Sequence, residues 1–151
     1  MSLEARYENG TLTMTRTYDA PCAAVFDAWV ETSKIQQWWG CAQTTAVKSE
    51  IEKKVGGKYC HHMTIEGAGE YPMNCRLTIY DPPKKLAYEE VSDNPNPMCV
   101  TVDFIERGTQ TEVRLVHANL PTGLSEIVKG GWTAALGKLA DFLEREIAGA
   151  K

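Results

Sequence analysis

The chain has 151 residues, 43% of them hydrophobic and 24% charged, with a formal net charge of -4. This is the composition of one globular domain, residues 1–151, with its own core; the acidic balance and the lack of a basic run exclude a general grip on nucleic acid. No apolar run reaches the roughly 18 residues that cross a bilayer, and no secretory pattern opens the chain, so a cytoplasmic location without membrane insertion is expected.

In chain order, residues 1–10, with Glu8-Asn9-Gly10, are polar and read as a frayed end or part of a turn. Leu12, Met14 and Arg16 alternate with Thr11, Thr13, Thr15 and Thr17, which predicts a strand ending near Tyr18. Asp19-Ala20-Pro21 then opens a helix, with Asp19 as cap or first-turn acid and Pro21 in the tolerated first turn. Val25, Phe26, Ala28 and Trp29 supply its buried face. Thr32-Ser33 breaks it, and Ser33 with Gln36 has the spacing of a capping box for a second short helix through Trp38-Trp39, ended by Gly40. Helix neighbours lie about 100° apart, so the two tryptophans are not both expected inside. One belongs to the core, the other to a cavity mouth or a partner surface.

From Thr44 the period changes to two. Strands are expected over 45–51 and 58–65, the second with Tyr59, His61, Met63 and Ile65 facing inward and His62 outward. Gly56-Gly57 belongs to the turn between them, and residues 66–70 form a flexible turn. Met73, Cys75, Leu77 and Ile79 mark the next strand, Asp81-Pro82-Pro83-Lys84-Lys85 a stiff turn, and 86–91 a further strand. After a loop over 92–97, strands over 98–106 and 110–117 flank Arg107-Gly108-Thr109 as a hairpin. His117 shares a face with Val113 and Leu115, but as a strand end beside Asn119 and Pro121 it is expected to be exposed. A long helix closes the chain, its first turns starting at Ser125. Trp132, Leu136, Leu139 and Leu143 make its apolar stripe, widened by Ala135, Ala140 and Phe142.

Strands joined by short turns are antiparallel neighbours, since a parallel crossover needs a dozen or more residues. The expected class is α+β: a curved antiparallel sheet of about six to seven strands wrapped on the C-terminal helix, with two short helices after the first strand.

Several stretches together resemble one superfamily. Asp19-Ala20-Pro21 with Val25-Phe26 and Trp29, Trp38-Trp39-Gly40, Gly56-Gly57-Lys58-Tyr59, Asp81-Pro82-Pro83-Lys84-Lys85-Leu86, residues 111–117 and Gly131-Trp132 occur in the order of the SRPBCC, or START-like, superfamily. Within it the chain is similar to the activator-of-heat-shock-protein-ninety ATPase homologue-like domain, from Leu12 to Leu143. The resemblance implies a helix-grip fold and a cavity between sheet and helix that in many relatives takes an apolar molecule. It carries no activity by itself.

His61, among Tyr59, Met63 and Ile65, is either a polar anchor or general base in an apolar lining or a histidine bonded to a neighbour for packing alone. His61 and His62 point to opposite faces and cannot share an ion, and the five cysteines, Cys22, Cys41, Cys60, Cys75 and Cys99, have no CxxC spacing. No metal site and no disulfide framework is therefore expected. No cofactor is expected either, since P-loop, GxGxxG and GxSxG signatures are missing. Trp39, Tyr59, Met63 and Met73, with Cys75, Met98, Trp132 and Leu136, either line a cavity together with His61 or fill a solid core. Gly130-Gly131 marks a cavity-related spot, the helix start or a close packing under a strand.

Three functions follow from these alternatives. The first is binding of an apolar or aromatic small molecule, with Trp132 and Tyr59 as walls and His61 as anchor. The second is a cyclase or dehydratase using the same pocket. The third is an interaction protein, a homodimer or a chaperone partner, using an exposed Trp38 or Trp39 and the outer sheet.

Overall fold

Period-two alternation builds most of the molecule. The computed structural model describes residues 3–149 and, among them, eight strands and three helices. These are β1 (Leu3–Glu8), β2 (Thr11–Tyr18), α1 (Cys22–Val30), α2 (Thr32–Ile35), β3 (Thr44–Ile51), β4 (Lys58–Ile65), β5 (Gly69–Asp81), β6 (Lys85–Glu90), β7 (Cys99–Arg107), β8 (Gln110–Ala118) and α3 (Ser125–Gly149). The strands form one open antiparallel sheet in the order β1-β2-β8-β7-β6-β5-β4-β3. The α1–α2 segment carries the chain from β2, near one edge, to β3 at the other. The fold is α+β, and α3 lies on the inner face of the sheet as a helix-grip requires.

The eighth strand is β1, which the polar N-terminal residues did not announce. Asn9 and Gly10 both have positive φ, 50° and 77°, the conformation of a type I′ hairpin turn. That turn lays β1 against β2, pairing Tyr7 with Leu12 and Leu3 with Arg16. Because β1 is an edge strand with nearly every side chain exposed, it lacks the apolar alternation by which the inner strands were read.

Two local expectations around the short helices fail. Helix α1 has Pro21 at its N-cap with no side-chain cap, so Asp19 does not serve that role. The Ser33–Gln36 capping box does not form: α2 begins after Glu31, and the Gln36 side chain instead accepts the Ser49 backbone N–H at 2.7 Å, tying α2 to β3. Trp38 and Trp39 follow α2 in a turn, outside any helix, so the 100° rule does not govern them and both are buried. Gly40 makes that turn feasible. Its φ is 98°, and a Cβ there would come within 2.4 Å of Thr44 Oγ1.

The core splits into two parts. Toward α1 it is solid: Trp29 packs edge-on against Trp38 at 4.8 Å and Phe104 at 6.1 Å, and Phe26 against Phe104 at 5.2 Å between ring centres. Most of the polar edges here end on backbone carbonyls. Trp38 Nε1 donates to Ala28 O at 3.0 Å, Tyr59 OH to Trp29 O at 2.8 Å and Tyr18 OH to Leu136 O at 2.9 Å. Toward the start of α3 the packing opens.

Candidate functional site

The opening is a cavity of about 450 Å³ between the inner sheet face and the N-terminal half of α3. Its size is that of a small-molecule pocket. The walls come from alternation on the strands: Met63 from β4, Met73 from β5, Tyr88 from β6, Val100 from β7 and His117 from β8 all project to one side. Trp39 comes from the turn after α2, and Gly131, Trp132 and Ala135 from one face of α3. Gly131 lies inside the helix rather than at its start. A Cβ there would touch only Cys41, at 4.0 Å, so its missing side chain leaves room at the wall. The mouth is framed by Tyr71, Leu124 and Ile127, apolar residues that are nonetheless 54%, 40% and 71% exposed.

The polar part of the wall is small. Trp132 Nε1–H donates to Nδ1 of His117 at 2.9 Å, which joins α3 to β8. His117 is buried, not exposed as its strand-end position suggested, because α3 and Leu120 cover the end of β8. Burial draws its pKa down to about 4, so the ring is neutral at pH 7. The Tyr88 hydroxyl has no partner among the described residues, and burial holds its pKa well above the ordinary phenol value. Lys138, half-buried, donates to the carbonyls of Trp39 and Cys41, each at 3.2 Å, and pins the Trp39 turn to α3.

Residues 19–144 match the model of the activator of Hsp90 ATPase homolog 1-like protein family. The chain belongs to this family. Its SRPBCC architecture recurs in solved structures that show the fold alone, at low identity. Protein CV1439 from Chromobacterium violaceum is 21% identical with a TM-score of 0.81, covering 90% of this chain and 99% of its own. Protein NE0264 from Nitrosomonas europaea is 15% identical with a TM-score of 0.80, over 90% and 95%. CalU16 from Micromonospora echinospora is 21% identical with a TM-score of 0.67, over 97% and 87%. None of the curated proteins matches the sequence.

In this member of the activator-homologue family the residues singled out from sequence divide in two. Trp39, Met63, Met73, Met98 and Trp132 line the cavity. Tyr59, His61, Cys75 and Leu136 do not; they pack in the layer behind it. Tyr59 is spent on Trp29 O, and Cys75 and Leu136 are sealed in the core. His61 lies behind Trp39 with ring centres 4.2 Å apart and planes tilted by 36°, and its Nδ1 lies 2.8 Å from Ser49 Oγ. Burial draws its pKa down to about 3, with nearby His62 adding to the effect. The inward face of β4 was legible, but Trp39 stands between His61 and the cavity. Of the wall residues, sequence reasoning passed over Tyr88 and set His117 aside as an exposed strand end. Their only signal was alternation, Tyr88 with Leu86 and His117 with Leu115, and alternation does not tell a wall from a core.

Proposed function

We propose that this domain binds an apolar or aromatic small molecule in the cavity between the sheet and α3. The observation that carries the reading is a volume of about 450 Å³ walled by Trp39, Trp132 and three methionines, Met63, Met73 and Met98, with an apolar rim. Thioethers adapt to varied apolar shapes, and a rim of exposed Leu124 and Ile127 gives such a ligand an apolar approach. Burying about 200 Å² of apolar ligand surface contributes about 5 kcal/mol at ~25 cal/mol per Å², which before association costs corresponds to a Kd of roughly 0.2 mM, so area alone gives weak binding and polar contacts must supply the rest.

The interaction-protein reading drew on an exposed Trp38 or Trp39 and the outer sheet face; both tryptophans are buried, which leaves it the outer sheet alone. The cyclase reading leaned on His61, which does not reach the cavity lining.

A Gly131→Leu variant tests the binding reading. It places a side chain in the cavity and replaces a helical glycine, so its melting temperature should rise, by the equivalent of about 0.5–1 kcal/mol, while binding is lost. The measurement is a thermal-shift screen of aromatic and aliphatic compounds against wild type and variant. Wild type unmoved by every compound, or Gly131→Leu binding as well as wild type, sinks the proposal.

A further inference from the structure

The ligand reading can be sharpened by two atoms on the sheet wall. Tyr88 OH and His117 Nε2 are both buried and both without a hydrogen-bond partner among the described residues. They belong to one cross-strand row, Tyr88 opposite Val100 and Val100 opposite His117, which sets their backbones roughly 10 Å apart along the same wall.

His117 can carry only one kind of group on its remaining nitrogen, Nε2, which lies just under the cavity wall. An indole N–H donates and never accepts, so Nδ1, held by Trp132, carries no proton. Burial keeps the imidazole neutral, and a neutral ring unprotonated at Nδ1 is protonated at Nε2. The free atom is therefore a donor, fixed in direction by the Trp132 bond. Leaving a buried donor unmatched costs more than a neutral hydrogen bond normally returns, so a ligand oxygen placed there gains a disproportionate amount. Charge is also specified. Among the lining residues Glu90 alone is charged, and neither lysine nor arginine is present to receive a carboxylate.

We propose that the cavity selects neutral aromatic carbonyl compounds, with the rings against Trp39 and Trp132 and the carbonyl oxygen accepting from His117 Nε2–H. Tyr88 OH, two strands away, meets a second polar substituent where the ligand has one. This rests on the cavity being a ligand site at all, and the probes below separate the two claims.

Calorimetric titration of the full chain with three naphthalenes of similar size provides the test: 2-acetylnaphthalene, 2-isopropenylnaphthalene, in which CH2 replaces the oxygen, and 2-naphthoate. The ketone should bind about tenfold tighter than the alkene, as one buried hydrogen bond to a prepared donor is worth, and the anion should bind most weakly. In His117→Phe the ketone should lose its advantage while the alkene still binds. Should that variant not fold, nitrogen-15 spectra of wild-type histidine serve instead: His117 should appear as the Nε2–H tautomer, with that resonance moved by the ketone and not by the alkene. Equal binding of ketone and alkene overturns the carbonyl proposal and leaves the cavity reading standing. Tightest binding of naphthoate overturns the requirement for neutrality. Failure of all three to bind removes both claims together.

Discussion

The two halves of the space under α3 are built from similar residues to opposite ends. In the half next to α1, Trp29, Trp38, Phe26 and Phe104 interlock edge to face, and most polar edges there are spent on backbone carbonyls, the Trp29 indole N–H being an exception. In the half next to the start of α3, flexible methionines, a helical glycine and two unmatched polar atoms surround about 450 Å³. Trp39 is the partition. Its ring centre lies 5.7 Å from that of Trp38 on the solid side, and 5.4 Å from Trp132 and 6.4 Å from Tyr88 on the open side. Aromatic content does not tell a core from a pocket; what separates the halves is whether polar edges and ring faces have partners.

The largest test of that contrast is truncation on each side. Trp29→Ala leaves a hole in a close-packed layer and should cost about 3–5 kcal/mol in urea unfolding. Met98→Ala, at a half-buried position already facing a void, should cost well under half as much while weakening ligand binding. Similar losses at both positions would mean the halves are packed alike.

Acid should expose the buried histidines. His61 and His117 have folded pKa values drawn down to about 3 and about 4, against about 6.5 when unfolded. Between those values the unfolded chain binds more protons, so the stability present above pH 6.5 is lost as pH falls through 4 toward 3. The melting temperature should drop over that window, and His61→Phe should make the drop shallower. A variant as steep as wild type would place His61 outside the cause.

Two tyrosines offer a smaller and cleaner comparison. Tyr59→Phe strands the Trp29 carbonyl and should cost about 1–2 kcal/mol, whereas Tyr88→Phe removes a hydroxyl without a partner and should be neutral or slightly stabilising in the absence of ligand. Equal effects in denaturant titrations would contradict the assignment of polar edges. The smallest effect concerns thiols. Although burial tends to raise it, Cys41 at the cavity has its pKa lowered by hydrogen bonds from Thr44 and backbone N–H groups, while burial pushes Cys75 up to about 12. Iodoacetamide mapping should label Cys41 first and Cys75 last.

Sequence alone determined the sheet, the inward faces of β4, β7 and β8 and that of β5 as far as Leu77, where a bulge turns Tyr80 rather than Ile79 toward the core, and the apolar stripe of α3, because alternation and the helical repeat are local consequences of backbone geometry. It also determined the family, through short motifs in the right order. It did not reveal β1, whose side chains are exposed and whose only mark was the Asn9-Gly10 turn. Nor did it divide core from cavity. Tyr59 and Tyr88 are both fully buried on the same sheet face with ring centres 4.6 Å apart, yet one bonds Trp29 and the other faces the pocket. Only the tertiary structure decided that, since it depends on where the turn after α2 sets Trp39 and where the missing side chain of Gly131 leaves space. Both are matters of residues far apart in the chain meeting at one wall, which no local period records.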